Sequence, residues 1–174
     1  KVAPALATGN AVVVKPCLEG SAIAVEIAEA FEEAGLPRGL LNVVTGDREE
    51  AKALADHQNT AFVTLTGGTE AGEALVRAAG AKPFLGELGG NSPNIVCADA
   101  DLDDAVARIT PSAFEASGQQ CISTQRIIVE HPVFDDFVEK FVAAAGKLKV
   151  GDPSDNDTDV GPVVSHRAAE RILL

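Results

Sequence analysis

Cys121 stands in the run Ser117-Gly118-Gln119-Gln120-Cys121-Ile122-Ser123, just past a glycine and two glutamines. Thirty-four residues upstream, Glu87 lies in Phe84-Leu85-Gly86-Glu87-Leu88-Gly89-Gly90-Asn91, a lone acid between glycines. A soft nucleophile and a carboxylate are a workable kit for acyl chemistry through a covalent thioester. Each residue also has a plainer reading. A free Cys is more often a small buried hydrophobe than a nucleophile, and a carboxylate in a glycine turn can be a solvated surface acid. In an apolar pocket the Glu87 carboxyl would move up toward base work near neutrality. A helix start just beyond Cys121, or backbone N–H groups around it, would lower the thiol. His57, His131 and His166 fall at surface positions without the setting of a Cys/His pair, so the base for Cys121 is expected to be a carboxylate.

The elements that must position these residues follow from periodicity. Val12-Val13-Val14 is a β-branched run that suits a strand buried on both faces. Ser21 can cap a helix with Ile23, Ile27, Ala30, Phe31 and Ala34 at helical spacing, closed by Gly35 and Pro37. Strands are expected over 40–44, 61–65 and 82–85, with helices over 48–56 and from Thr69 to about Ala79. Strands alternating with helices of this length predict βαβ units and a mostly parallel, Rossmann-like α/β sheet with helices on both faces. After Glu87 the rhythm restarts, with strands over 94–97 and 126–130. Helices are expected over 102–114, capped by Asp101 and bent near its end by Pro111, and over 133–148; a last one opens at Ser165. Residues 151–160 read as an acidic surface loop. This restart divides the chain into residues 1–87 and 88–174. Cys97 falls mid-strand and reads as core; Cys17 reads as a packing residue or, alternatively, as part of a ligand pocket.

Composition narrows the function classes. The chain has 174 residues, 46% of them hydrophobic, with seven Phe and no Trp, Tyr or Met, so its core is largely aliphatic. A net charge of −12 argues against non-specific binding to nucleic acid or to anionic membranes. Three cysteines with no CxxC or Cys/His ligand spacing disfavour a disulfide framework and a zinc site, and fit a reducing, cytoplasmic compartment. No apolar run is long enough to span a membrane. Without an initiator Met or a leader pattern, the start reads as that of a piece cut from a longer chain.

Glycines and one lysine offer cofactor chemistry. There is no GxGxxG, and Glu73 stands where a phosphate-binding loop after Gly67-Gly68 would need Lys. What remains is a strand, a Gly67-Gly68 turn and a helix start, which leaves N–H groups free for a phosphate or serves only as a tight turn. Lys15 follows the first strand at its carboxyl end, the edge where ligands sit in open α/β sheets, although a solvated lysine would look the same.

Five motifs together resemble the aldehyde dehydrogenase superfamily. They are Lys1 to Asn10 leading to Val13-Val14-Lys15-Pro16; Gly35-Leu36-Pro37-Arg38-Gly39 leading to Asn42-Val43-Val44-Thr45-Gly46; Leu65 to Gly72; Glu87 to Asn94; and Gly118-Gln119-Gln120-Cys121. Their order and spacing match the family over essentially the whole chain. The resemblance implies NAD(P)-dependent oxidation of an aldehyde to a carboxylic acid. Cys121 would be the nucleophile that carries a thiohemiacetal and then a thioester, and Glu87 the base that activates water. Lys15 would hold the adenosine ribose, Gly46 the adenine end and Gly67 and Gly68 the pyrophosphate, with Leu88 counted among the cofactor residues. Residues 1–87 would be part of the NAD(P)-binding domain and 88–174 the start of the catalytic domain. The oxyanion would be held by the Cys121 N–H and by an asparagine that the family carries upstream of residue 1. The family's second cofactor-binding glutamate lies downstream of Leu174. The partners implied are a small aldehyde and, for the parent protein, further copies of itself; no metal, nucleic acid or membrane is expected. Gly68 stands where many members have Ser. Leu18 stands where NAD-preferring members often have Glu, which eases repulsion of a 2′-phosphate, so either NAD or NADP is the expected cofactor. The alternatives are a non-catalytic nucleotide-binding or interaction fragment, and a coenzyme-A-acylating relative. Those relatives lack the glutamate in this turn, so Glu87 argues against the second. Because parts of the family's machinery fall outside these residues, the piece alone is expected to be inactive.

Overall fold

The chain opens with a short helix, α1 (Val2–Ala7), ahead of Gly9 with its positive φ of 84°. Pro4 is tolerated because it lies in the first turn, where a missing N–H leaves no helical bond unmade. The computed structural model describes residues 1–173 and divides the chain into two units, residues 1–88 and 89–174. Leu174, in the last expected helix, lies outside the described residues.

In the first unit, β1 (Val12–Val14) pairs in parallel with β2 (Leu41–Val43) across the helix α2 (Ser21–Glu33). A second pair joins β3 (Val63–Thr66) to β4 (Phe84–Glu87) across α4 (Thr69–Ala79), with α3 (Arg48–Asp56) before β3. Both ladders are parallel, as βαβ connections require. The expectation of β1 buried on both faces does not hold: Val13 is 51% exposed. Each ladder contains only two strands among the described residues, so nothing there covers the outward side chain. Ser21 is the first residue of α2 and not its cap; Gly20 is the cap, and the Ser21 hydroxyl donates to the Cys17 carbonyl. Ala55, Val63 and Ala79 are the buried centre of this unit, with Leu75 and Phe84 against them.

In the second unit, β5 (Pro93–Val96) pairs in parallel with β6 (Arg126–Val129). Between them runs α5 (Leu102–Phe114), whose N-cap Asp101 accepts from the Asp103 and Asp104 N–H groups. The helix continues three residues past Pro111 before a 3-10 turn over Glu115–Gly118 breaks it. A 3-10 turn (His131–Val133) then leads into α6 (Phe134–Ala145), and α7 (His166–Leu173) follows an acidic loop. Ser165 caps α7, its hydroxyl accepting from the Ala168 N–H. The core gathers Val96, Val106, Ile109 and Phe137; Phe137 is 2% exposed and stacks on Phe141 with ring centres 5.8 Å apart. Cys97, expected in that core, lies just past β5 and is exposed. Val96 already faces inward, and strand side chains alternate, so the next residue turns out.

Candidate functional site

In the first unit the candidate binding residues share one structural position. Lys15 follows β1, Gly46 lies three residues past β2, Gly67 and Gly68 follow β3, and Leu88 follows β4. All therefore stand beyond the carboxyl ends of parallel strands, where an α/β sheet presents backbone ends and helix N-termini to a ligand. The structure brings two of them together: the half-buried Lys15 ammonium donates to the Gly46 carbonyl at 3.0 Å and to the Pro16 carbonyl at 2.6 Å.

A third participant escaped the sequence reading. Glu50, in the first turn of α3, accepts from the Asp47 N–H at 2.7 Å, and its side chain occupies the space a Cβ on Gly46 would need. Its carboxyl is held below its ordinary value by its own N–H and that of Asp47, with the Lys15 charge adding to them. The signal was available: an acid at Asp47 followed three residues later by Glu50 is the capping-box pattern.

Gly68 caps α4, and a Cβ there would meet no heavy atom within 4 Å. The Gly67 N–H is committed to the Glu87 carbonyl at 3.0 Å, so it continues the β3–β4 ladder and is not free for a ligand. The N–H groups at the start of α4 beyond it have no partner within the helix. Leu88 packs its methyl groups onto the buried Gly72 of α4. Glu87 is the last residue of β4 and is exposed, so the described residues of its unit form no apolar pocket around it. Cys17 is exposed as well, so it is not a packing residue. A wide groove lined by Val25, Glu29, Leu36 and Arg38 lies between α2 and β2, away from all these residues.

In the second unit Cys121 is exposed, on a turn between the 3-10 segment and β6. No helix begins just beyond it: the turn leads on to β6, in line with the strand expected over 126–130. What surrounds Cys121 is held main chain. Gln120 gives its N–H to the hydroxyl of Ser123 and receives the Ser123 N–H on its carbonyl. Ser123 is 2% exposed. The Cys121 carbonyl accepts from the Ser92 hydroxyl at 3.1 Å. The Cys121 N–H has no acceptor among the described residues.

Upstream of Cys121 the backbone turns through three consecutive left-handed residues, Ala116 (φ 49°), Ser117 (φ 58°) and Gly118 (φ 70°). Such conformations persist only where surroundings over-determine them. Here the Ser117 hydroxyl donates to the Gly161 carbonyl at 2.8 Å, and the Val164 N–H donates to the Gln119 amide oxygen at 3.1 Å. Gln125 donates to the Gly118 carbonyl from the other side. The Ser117 and Gln119 anchors were not found from the sequence, since their partners lie 44 and 45 residues away.

His57, His131 and His166 are exposed, as expected. Among the described residues no group of three or more His, Cys, Asp or Glu could hold a metal ion, and no helix is long and apolar enough to cross a membrane.

The family model described as "Aldehyde dehydrogenase family" matches residues 1–173. The aldehyde-dehydrogenase-like protein y4uC of Sinorhizobium fredii is 46% identical over 98% of this chain and 33% of its own length. The 2-hydroxymuconic semialdehyde dehydrogenase of Pseudomonas putida is 42% identical over 99% of this chain and 36% of its own length. The chain thus spans about a third of the relatives it matches. Among solved structures, PnpE in complex with nicotinamide adenine dinucleotide superposes with a TM-score of 0.95 at 37% identity, covering 99% of this chain and 36% of PnpE. The glyceraldehyde-3-phosphate dehydrogenase GapN of Methanocaldococcus jannaschii, complexed with NADP, gives 0.92 at 38% identity, covering 99% and 39%. With the family's model matched from the first residue to the last described one, this chain belongs to the aldehyde dehydrogenase family.

Proposed function

We propose that this chain is part of an enzyme that oxidises an aldehyde to a carboxylic acid with NAD or NADP, residues 1–87 contributing to the cofactor domain and 88–174 to the catalytic domain. The observation that carries this reading is the common placement of Lys15, Gly46, Gly68 and Leu88 beyond the carboxyl ends of parallel strands. The residues suit a dinucleotide. Gly68 leaves open space over the start of α4, where N–H groups and the positive helix end favour a pyrophosphate. The Lys15 ammonium lies beside Gly46 with one donor to spare for a ribose hydroxyl. The exposed Leu18 puts no carboxylate against a 2′-phosphate. When bound, the cofactor supplies the hydride acceptor.

Cys121 then acts as thiolate on the aldehyde carbon. The carbonyl π electrons move to oxygen, and the free N–H of Cys121 stabilises the charge developing there. Departure of hydride from that carbon, a two-electron oxidation, leaves a thioester on Cys121. Glu87 takes a proton from water as it adds to the thioester carbonyl, and the C–S bond breaks to release carboxylate and regenerate the thiol.

The test is rapid-mixing kinetics of the whole enzyme with an aldehyde and either cofactor. Cys121→Ser is expected to abolish reduced-cofactor formation. Glu87→Gln is expected to keep a single-turnover burst and lose steady turnover by ~100-fold or more, as loss of a general base does. Full steady-state activity in either variant would refute the assigned roles.

A further inference from the structure

The carbonyl of Cys121 is an unusual group to find so firmly held. Ser92 donates its hydroxyl to it at 3.1 Å from 29 residues away. Ser92 is itself in the left-handed region (φ 37°), uncommon for a residue other than glycine, and such backbone is retained where the surroundings impose it. The same carbonyl oxygen would lie 2.7 Å from a Cβ built on Gly90, so position 90 admits no side chain without moving the Cys121 main chain. The two segments are laced further along. The Gln125 N–H donates to the Asn91 carbonyl at 3.3 Å, and the Asn94 amide donates to the Thr124 hydroxyl at 2.8 Å. Thr124 in turn shares a hydrogen bond with Ser112 of α5. The Gln120 peptide groups are tied to Ser123, so main-chain groups on both sides of the Cys121 N–H and side chain are fixed while that N–H stays free.

We propose that Ser92 is a positioning residue for the nucleophile, with Gly90 as the gap that lets it work. By holding the Cys121 carbonyl, Ser92 fixes ψ of Cys121. With the Gln120 carbonyl held by the Ser123 N–H, both peptide planes flanking the Cys121 Cα are then fixed, and with them the direction of the Cα–Cβ bond relative to the free N–H that receives the oxyanion. Ser92 touches neither substrate nor sulfur; it acts through the peptide plane. Attack geometry is sensitive to small misplacements of the reacting atom, so releasing this carbonyl should slow the chemical step more than it weakens binding. This inference rests on the proposed role of Cys121.

The test uses the whole enzyme and three variants. Ser92→Ala and Ser92→Gly remove the donor, and glycine suits the positive φ, which protects folding. Ser92→Asn restores a donor on a residue that tolerates the left-handed region. For the Ala and Gly variants kcat is expected to fall ~10-fold, about the worth of one well-placed hydrogen bond, with aldehyde KM and cofactor affinity unchanged and, in Ser92→Gly, the melting temperature kept. Ser92→Asn is expected to return kcat to within about threefold of the parent. An unchanged kcat in Ser92→Gly would overturn the proposal. So would a parallel fall of kcat, cofactor affinity and melting temperature, or a folded Ser92→Asn with no recovery. Cys121→Ser run alongside separates the two claims. If it retains turnover, the proposed function fails; if it is dead while Ser92→Gly is fully active, only the positioning role fails.

Discussion

Gly72 offers a sharp test of how Leu88 is seated. It is the fourth residue of α4 and is buried, and a Cβ on it would fall 2.7 Å from Leu88 Cδ2 and 2.8 Å from Cδ1. Carbon atoms rest at about 3.5–4.0 Å, so Gly72→Ala demands that two methyl groups retreat by about 1 Å. Overpacking of this size costs ~1–3 kcal/mol. Against it, alanine in a helix interior is favoured over glycine by about 1 kcal/mol. The first effect wins, and a net destabilisation of about 1 kcal/mol is expected. In a Leu88→Ala background the obstruction is gone and only the propensity gain remains, so the same substitution should stabilise by about 1 kcal/mol. The assay is urea unfolding of the four proteins of this double-mutant cycle, followed by far-UV circular dichroism. The sign reversal is the signature. If Gly72→Ala stabilises equally in both backgrounds, Leu88 does not rest on α4, and the seating of the residue after Glu87 needs another account.

Two further outcomes are expected. Phe137→Ala removes the most buried large side chain of the second unit and its stacking on Phe141, and should cost ~3–5 kcal/mol in urea unfolding; a loss under ~1 kcal/mol would mean that the core is centred elsewhere. In the acidic loop, the Asp157 N–H and then the Lys149 ammonium hold the Asp155 carboxyl below its ordinary value. A lowered carboxyl stabilises the loop at pH above the ordinary carboxylate range, and that stability is lost as pH falls through the lower folded value. Hydrogen-exchange protection of residues 149–160, taken relative to the intrinsic rate at each pH, should therefore fall on acidification in the parent and lose part of that pH dependence in Asp155→Asn; identical protection profiles would refute the linkage.

How far the sequence reached depended on whether the deciding contact was local. Helices α3, α4 and α5 begin and end where their own residues say, since Asp47 and Asp101 at the starts and Gly80 after α4 act within one turn of themselves. The parallel pairing followed from the alternation of strands and helices. Helix α1 was hidden because Pro4 punctuates a turn and a first helical turn equally well. A three-residue run such as Val12–Val14 carries no period from which to read how many of its faces are covered. Cys97 was misplaced by a single residue, which in a strand is enough to exchange inside for outside. At the candidate site the motifs singled out the residues but not their partners. Lys15 meets Gly46 31 residues away, and Gln119 meets Val164 45 residues away; neither separation leaves a mark in local composition.

The two-stranded ladders also bear on how the isolated chain behaves in a tube. Among the described residues each pair leaves the outer backbone groups of both its strands without a strand partner, and Val13 and Leu85 stand about half exposed beside them. Open edges of this kind template pairing with other molecules. The counterweight is mutual repulsion from the charge of −12, which shrinks as acidity brings the chain toward its isoelectric point near 4.6. Colloidal stability, and with it the choice of buffer for every experiment on this chain, is governed by surplus carboxylates on its surface and not by the sites that carry its chemistry.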